Sequence, residues 1–324
     1  MKVKVTTSAR LHLGFMDLNG DLGRLYGSIG VSVKAPQTQL TIEDHEELVI
    51  GEMDDQIKKR ISSFLKAFST HFKTVPRGII NLERHIPEHK GLGSGSQLGL
   101  ALMTALTKVC NISVKNHALA RIAGRGLRSG IVITAFEKGG FIIDGGKRVI
   151  KGKKQCNEPP SAILRYNFPA SWHFVLVIPE KKVGLSGEQE KEAMGYVSPS
   201  RRISEEICRL TMMQLLPALV DEDLEKFGDA VSEIDIRTGA FFKPVQGGIY
   251  SEKSSYSIIR HMIDSGAAGA GQSSWGPAVY GLTHENEVYK LADKMNDFLE
   301  RKNITADVII TQARNRGARI EIIP

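Results

Sequence analysis

The stretch from Ile86 to Leu106 constrains this chain more than any other. It reads Ile-Pro-Glu-His-Lys-Gly-Leu-Gly-Ser-Gly-Ser-Gln and then continues as an apolar helical run. Pro87 ends an extended segment, Asn81 to Ile86. Gly91, Gly93 and Gly95 follow as positions without a Cβ, where backbone amides can turn toward one point. Ser94, Ser96 and Gln97 carry short polar groups into the first helical turn, where unpaired N–H groups and the positive dipole end favour an anion. Leu98, Leu100, Ala101, Leu102, Ala105 and Leu106 make the helix apolar around most of its girth, which predicts burial. A buried helix opening on a glycine loop is a phosphate cradle; the plain alternative is a glycine-rich turn before a core helix. It is not a Walker loop, because no Gly-Lys-Ser/Thr follows at the required spacing. It is not a Rossmann fingerprint either, because the preceding strand ends in a proline and a polar loop.

Length sets the frame for that cradle. The 324 residues are enough for two domains and a sizeable core. Pro159-Pro160 and the polar run around it mark the expected boundary, which gives an N-terminal unit of residues 1–160 and a C-terminal unit of 161–324. The net charge of +7 is spread along the chain, and aromatics make up only 6% without basic-aromatic alternation, so nucleic acid is not expected as a partner. A small anionic substrate suits the basic bias. Cys110, Cys156 and Cys208 stand apart without metal-ligand spacing and read as reduced thiols. No apolar run reaches the ~18 residues of a membrane span, and Met1-Lys2-Val3-Lys4-Val5 reads as a strand. The expectation is a cytoplasmic protein acting on small molecules, with no membrane partner.

Along the chain, Lys2–Ser8 and Gly27–Lys34 alternate as strands. Between them, Ala9 to Arg24 reads as a functional loop carrying Arg10, His12, Asp17 and Arg24. His12 is either a satisfied histidine or a working one, and Asp17 with Arg24 either a surface ion pair or part of a site. Residues 53–72 form an amphipathic helix with Asp54-Asp55 as capping charge. Val114–Ala123 is a further helix, followed by Gly124–Gly130, where Arg125 and Arg128 offer a second anion clamp or a solvated helix end. Ile131–Phe136 and Gly140–Asp144 read as a hairpin. In the second half, Trp172–Ile178 reads as a central strand and Lys181–Glu188 as a loop that can contact substrate. Helices are expected at Ile203–Leu219, Leu224–Ile236, Ser254–Ser265 and Glu285–Arg301, with strands at Ala278–Thr283, Ala306–Thr311 and Arg319–Ile323. A glycine-rich landmark, Gly266–Pro277, interrupts them, and the order is that of an α+β protein.

Three separated motifs, Ala9-Arg10 to Asp17, Pro87 to Gln97 and Gly269 to Pro277, together resemble the GHMP small-molecule kinase superfamily over essentially the whole chain. The finer resemblance is to a branch that is not a kinase, the β-ribofuranosylaminobenzene 5′-phosphate synthases. It is carried by Arg10-Leu-His-Leu-Gly-Phe-Met-Asp17 with Arg24, Gly124-Arg-Gly-Leu-Arg-Ser-Gly130 with Phe136-Glu137, Gly140-Phe-Ile-Ile-Asp-Gly-Gly146 and Gly271-Gln-Ser-Ser-Trp-Gly-Pro277. Many kinases of the superfamily place a catalytic Asp shortly after a Ser-Gly pair. Here Ser129-Gly130 is followed by Ile131 and Val132, and valine cannot serve as a base.

The resemblance implies a two-lobed fold, an N-terminal α/β lobe and a C-terminal ferredoxin-like lobe, with the glycine loop and Gln272-Ser273-Ser274 facing one cleft. It implies condensation of 5-phosphoribosyl 1-diphosphate with 4-aminobenzoate or 4-hydroxybenzoate, releasing pyrophosphate and carbon dioxide, toward methanopterin-type carriers. On that reading Asp17 and Arg24 act in catalysis, and the loop, Arg10, His12, Arg125, Arg128 and Gln272–Trp275 bind substrate. Trp275 then either stacks on the aromatic ring or is a core tryptophan at a helix junction, and Ser96 with Glu137 holds Mg²⁺ or another divalent ion. Relatives imply a homodimer. The alternatives are an ATP-dependent small-molecule kinase using the same loop and a non-catalytic binding member of the fold.

Overall fold

The structure, a computed structural model, describes residues 1–149, 158–180, 200–250 and 252–324. The expected loop Lys181–Glu188 and Cys156 lie outside the described residues.

The first sheet has the order β12-β1-β2-β4-β3, from β1 (Lys2–Asp17), β2 (Arg24–Glu43), β3 (Leu48–Ile50), β4 (Gly78–Arg84) and β12 (Arg319–Ile323). Short β5 (Phe141–Asp144), β6 (Lys147–Arg148) and β7 (Ala162–Tyr166) attach beside the upper part of β2. Helix α1 (Asp55–Phe72) starts where Asp54 accepts from the Gln56 amide at 2.7 Å, the capping role its charge suggested. Its apolar face, Ile61, Phe64, Leu65 and Phe68, packs with α2 (Ser94–Val109) over Val3, Val5, Leu40 and Ile42 of the sheet. As its sequence predicted, α2 is buried along nearly its whole length. Gly99 lets α1 come close: a Cβ there would stand 3.0 Å from the Phe64 ring.

The second sheet, order β11-β8-β10-β9, is formed by β8 (Trp172–Pro179), β9 (Gly269–Gln272), β10 (Val279–His284) and β11 (Ala306–Gln312), all antiparallel. Helices α8 (Lys253–Asp264) and α9 (Val288–Arg301) cover one face through Val175, Val177, Met262 and Met295. This is the ferredoxin-like lobe. Its other face meets α7 (Leu224–Gln246) and the middle of β1, so that Leu11 and Leu13 share one core with Phe174, Phe227, Ile234 and Tyr280. Between β8 and α7 lie α5 (Arg201–Leu210), a π-helical turn (Thr211–Leu215) and α6 (Leu216–Val220). The cut expected at residue 160 falls just before β7, and both β7 and β12 belong to the first sheet, so the N-terminal lobe takes strands from either side of the C-terminal one.

Two local readings are corrected. Ile131–Glu137 is helix α4, not a strand, although its β-branched run favours strands. The neighbouring positions on β5 are already filled by β2 and β7, so the segment finds no open sheet edge and buries all round as a helix. The segment read as a loop after Ser8 is strand through Asp17; bulges at Ser8/Arg10 and His12/Gly14 and burial on both faces erase the alternation that marks a strand. Within the glycine-rich landmark, Gly269–Gln272 is strand β9. Its glycine admits α7 at backbone distance, since a Cβ on Gly269 would meet the Gly228 carbonyl at 2.3 Å.

Candidate active site

The glycine loop is held by two partners from distant parts of the chain. Arg10 on β1 donates its backbone N–H to Leu92 O at 3.1 Å and its guanidinium to Gly91 O at 2.5 Å. From the other lobe, Ser273 Oγ donates to Gly91 O at 2.8 Å and accepts from the His12 amide at 3.1 Å. The Ser274 amide reaches His12 O at 3.3 Å, and the Ala278 amide reaches Lys90 O at 3.3 Å. These bonds knit Arg10–His12, Lys90–Leu92 and Ser273–Ala278 into one unit. Gly91, at φ +81°, has no room for a side chain: a Cβ would stand 2.1 Å from Ser273 O.

Gly93, also left-handed at φ +83°, is the N-cap of α2. The helical ladder begins with the Ser96 and Gln97 amides on Gly93 O, so the amides of Ser94 and Gly95 precede it and point out of the helix start. Arginines surround this end. The Arg10 side chain lies 3.4 Å from a Cβ placed on Gly93, and Arg60 and Arg125 lie 2.9 and 3.6 Å from one placed on Gly95. Arg125 stacks on Phe64, its guanidinium carbon 5.3 Å from the ring centre. Arg60 is paired with Glu88, which also meets His85 at 3.4 Å. Burial pushes the Glu88 carboxyl up, but His85, Arg60 and His89 outweigh it and hold the pKa below its ordinary value. The arrangement is chemically suited to an anion: outward amides, a positive dipole end and guanidinium groups close by form a cradle.

His12 and Ser274 of the hydrogen-bonded unit that holds the glycine loop also line a pocket, together with Phe15, Phe242, Trp275, Asp235, Thr238 and Tyr250. Its rings interlock: His12 lies 4.4 Å from Phe15, and Phe242 4.5 Å edge-on from Trp275. The His12 pKa falls well below its ordinary value, because burial and then the Arg10 cation disfavour imidazolium. His12 is therefore a neutral group at pH 7. The Asp235 pKa is raised to about 7 by burial, although the Gln272 amide, donating at 3.0 Å, and the Tyr250 hydroxyl hold it down in part.

Of the residues singled out from sequence, the structure brings together Arg10, His12, Gly91, Gly93, Ser94, Gly95, Ser96, Arg125, Gln272, Ser273, Ser274 and Trp275. Gln97 is placed otherwise. It is fully buried, its amide accepting from Thr7 and donating to Val132 O at 3.1 Å, so it ties α2 to β1 and α4 instead of facing a ligand. Asp17 and Arg24 form no ion pair with each other. Asp17 Oδ1 accepts from Asn19 N at 2.6 Å and Ser204 Oγ at 2.9 Å, clipping the end of β1 to α5. Arg24 is exposed and donates to Gly145 O and Gly146 O at 2.8 and 3.1 Å. Arg128 is half-buried in the turn between α3 (Asn116–Ile122) and α4. Glu137 sits exposed at the far end of α4, against the Gly317 turn, and does not meet Ser96. Arg60 and Asp235 were missed. Arg60 reads as one more charge on a solvated helix face, but Asp235 left a signal: an acid between two isoleucines on a helix whose apolar face is buried.

Comparison with known proteins follows the same lines. Residues 57–140 match the family described as "GHMP kinases N terminal domain" and residues 215–301 "GHMP kinases C terminal". The beta-ribofuranosylphenol 5'-phosphate synthase of Methanothermobacter thermautotrophicus is 32% identical, over 97% of this chain and 97% of that protein. The protein of the same name from Methanocaldococcus jannaschii is 31% identical, over 98% of this chain and 99% of its own. Among solved structures, homoserine kinase from Cytophaga hutchinsonii superposes with a TM-score of 0.68 at 16% identity, covering 99% of this chain and 97% of that one. Mevalonate pyrophosphate decarboxylase from Streptococcus pyogenes gives 0.66 at 17%, covering 97% of each. At such identities the solved structures share the fold alone.

Proposed function

The chain belongs to the β-ribofuranosylphenol 5′-phosphate synthase family within the GHMP kinase fold, and we propose on that premise that it joins 5-phosphoribosyl 1-diphosphate to 4-hydroxybenzoate or 4-aminobenzoate. Pyrophosphate and carbon dioxide leave, in a step toward methanopterin-type carriers. The observation that carries the reading is the cradle: outward Ser94 and Gly95 amides ringed by Arg10, Arg60 and Arg125 suit a diphosphate. As the anomeric C–O bond breaks, negative charge grows on the diphosphate, where fixed amides and guanidinium groups stabilise it without reorganising. The aromatic carbon bearing the carboxylate takes the ribose, and loss of carbon dioxide restores the ring.

A divalent cation such as Mg²⁺ belongs to the proposal, held mainly by diphosphate oxygens with Ser96 as the loop-side donor. The described residues contain no group of three or more His, Cys, Asp or Glu that could hold a metal, which suits an ion carried in by its substrate better than a protein cage. Glu137 does not fit, given its position. Bound there, the cation would neutralise the leaving diphosphate. A homodimer is proposed from the resemblance, and sedimentation equilibrium tests it.

The deciding assay is release of labelled carbon dioxide from carboxyl-labelled 4-hydroxy- and 4-aminobenzoate with phosphoribosyl diphosphate. Release dependent on phosphoribosyl diphosphate supports the reading; ATP consumption without it supports a kinase. No observation at the Ser129-Gly130 turn favours the kinase. Asp144 is the acid nearest it, and its carboxylate is spent on the amides of Ser28, Gly130 and Gly146 at 3.1, 2.8 and 2.9 Å.

Catalytic roles for Asp17 and Arg24 remain part of the proposal. Asp17→Asn and Arg24→Lys are each expected to lower turnover by roughly 10²-fold, about 2.7 kcal/mol. The contacts of Asp17 add a second expectation. Asn retains an acceptor oxygen for Asn19 N but loses the charge, so the melting temperature should drop slightly for Asp17→Asn and hardly at all for Arg24→Lys. Turnover within about threefold of wild type would leave both residues with structural roles only.

A further inference from the structure

The pocket that His12 and Ser274 line holds more unsatisfied polar chemistry than a core should. Asp235 Oδ2, His12 Nε2, Thr238 Oγ1 and Gln246 Oε1 are all buried without a hydrogen-bond partner in the protein, and all four side chains line this one pocket. His12 and Asp235 are 3% and 6% exposed. The Tyr250 hydroxyl stands near enough to favour the Asp235 carboxylate without meeting Oδ2 in hydrogen-bond geometry. Buried polar atoms of native proteins are nearly always paired, so such a cluster implies water or a ligand that completes it. The apolar part of the lining includes the rings of Phe15, Phe242 and Trp275 together with Leu13 and Ile249. Flat apolar walls with polar atoms among them suit a single aromatic ring bearing polar substituents, and the bonds from His12 N to Ser273 Oγ and from Ser273 Oγ to Gly91 O tie the pocket's wall to the glycine loop.

Resting on the function proposed above, we propose that this pocket holds the benzoate and that Asp235 is the catalytic base for its para substituent. The ring carbon that bonds to ribose carries the carboxylate, so it must face the cradle; the para hydroxyl or amino group then lies a ring's length away, toward the α7 wall that carries Asp235 and Thr238. As the ring carbon forms its bond to the anomeric carbon and the C–O bond to diphosphate breaks, the para O–H or N–H proton passes to Asp235. That transfer sends the lone pair into the ring and strengthens the attacking carbon. The bond to the carboxylate then breaks, carbon dioxide leaves, its electron pair restores the aromatic ring, and Asp235 returns the proton. Proton and electrons balance over the cycle.

Titration agrees with this geometry. A base serves best when its pKa lies near the working pH, and Asp235 sits at about 7. The groups that face it are Tyr250 from the segment after α7, Tyr280 from β10, the Gln272 amide from β9 and, across the pocket, His12 from β1. Both tyrosines have raised pKa values and His12 is neutral, so within pH 5–9 Asp235 is the member of this set that changes charge. Activity should therefore rise with pH through about 7 as the base ionises.

The test compares wild type, Asp235→Asn and Thr238→Val, with labelled carbon dioxide release from 4-hydroxybenzoate followed from pH 5.5 to 9 and phosphoribosyl diphosphate binding followed by calorimetry. Asp235→Asn should lose roughly 10²-fold or more in kcat and its acid limb near pH 7, with phosphoribosyl diphosphate binding unchanged. Thr238→Val should raise KM for the benzoate several-fold with kcat nearly intact. Wild-type kcat and pH profile in Asp235→Asn would overturn the assignment of the base while leaving the proposed reaction standing. Should Asp235→Asn not fold, Thr238→Val with unchanged KM, or 4-hydroxybenzoate that fails to quench wild-type tryptophan fluorescence, would overturn the pocket. No carbon dioxide release by wild type would remove the reaction itself, and this inference with it.

Discussion

A single methyl group on Gly276 is expected to disable the protein. A Cβ there would lie 2.1 Å from Lys90 C, Lys90 O and Gly91 N, all backbone, so no rotamer change can relieve the clash. The only escape is to separate the Ser273–Ala278 segment from the glycine loop, which breaks the Ser273 Oγ to Gly91 O bond and the Ala278 N to Lys90 O bond. Overpacking of this kind costs about 1–3 kcal/mol, and each lost hydrogen bond adds about 1 kcal/mol. The loop would lose its position as well as its support, and a misplacement of about 1 Å can cost 10²-fold in rate. Gly276→Ala should show a lower urea midpoint and a fall in turnover of 10²-fold or more, whereas Gly247→Ala, with nothing within 4 Å, should be limited to the mild strain of its φ of +76°. Equal effects of the two substitutions would mean that backbone contact between the lobes does not set the loop.

Asp235→Asn is expected to make the protein more stable above neutral pH, in contrast to its effect on turnover. The folded-state pKa of about 7 lies above the ~3.9 of an unfolded Asp. Between those values the folded chain keeps a proton that the unfolded chain has released, so stability declines as pH rises from about 4 to 7 and stays reduced above. Asn carries no such penalty and still offers an oxygen to the Gln272 amide. The difference between variant and wild type should be near zero at pH 4 and reach a few kcal/mol, at most about 4, above pH 8. Thermal melts at pH 4.5, 6 and 8.5 measure it. A variant that is less stable at every pH would show that the ionised carboxylate has a partner strong enough to offset its burial. A residue that weakens the fold and drives the reaction is a common bargain at active sites.

The sequence was most informative where one local rule governs. The glycine loop announced a helix start because missing side chains and short polar residues have few other uses together, and α2 begins there, at Ser94. The α+β character of the second half was legible from element order, and its ferredoxin-like form came from the family resemblance. What escaped depends on neighbours that the chain does not name locally. Ile131–Glu137 has strand-forming residues but no edge to join. Arg10 and His12 looked like loop residues because both faces of β1 are buried there and two bulges break its rhythm. Gln97 looked like a ligand-binding residue because it follows Ser94 and Ser96 in the first helical turn, yet helix geometry turns it inward to Thr7 and Val132. Asp235 lies some 140 residues beyond the loop in sequence, and only the crossing of α7 over β1 and β9 puts it beside His12.

The pairing of β12 with β1 bears on how the chain is made. Lys2 pairs with Ile323 and Thr6 with Arg319, so during synthesis β1 waits for its neighbour until residues 319–323, some three hundred positions later, have left the ribosome. The ferredoxin-like lobe, by contrast, has all its strands in hand once Gln312 has emerged. In that interval Val3 and Val5 belong to a strand with one unpaired edge, the kind of surface on which nascent chains associate. Lys2 and Lys4 alternate with those valines and place charge along the waiting edge, a guard against premature pairing.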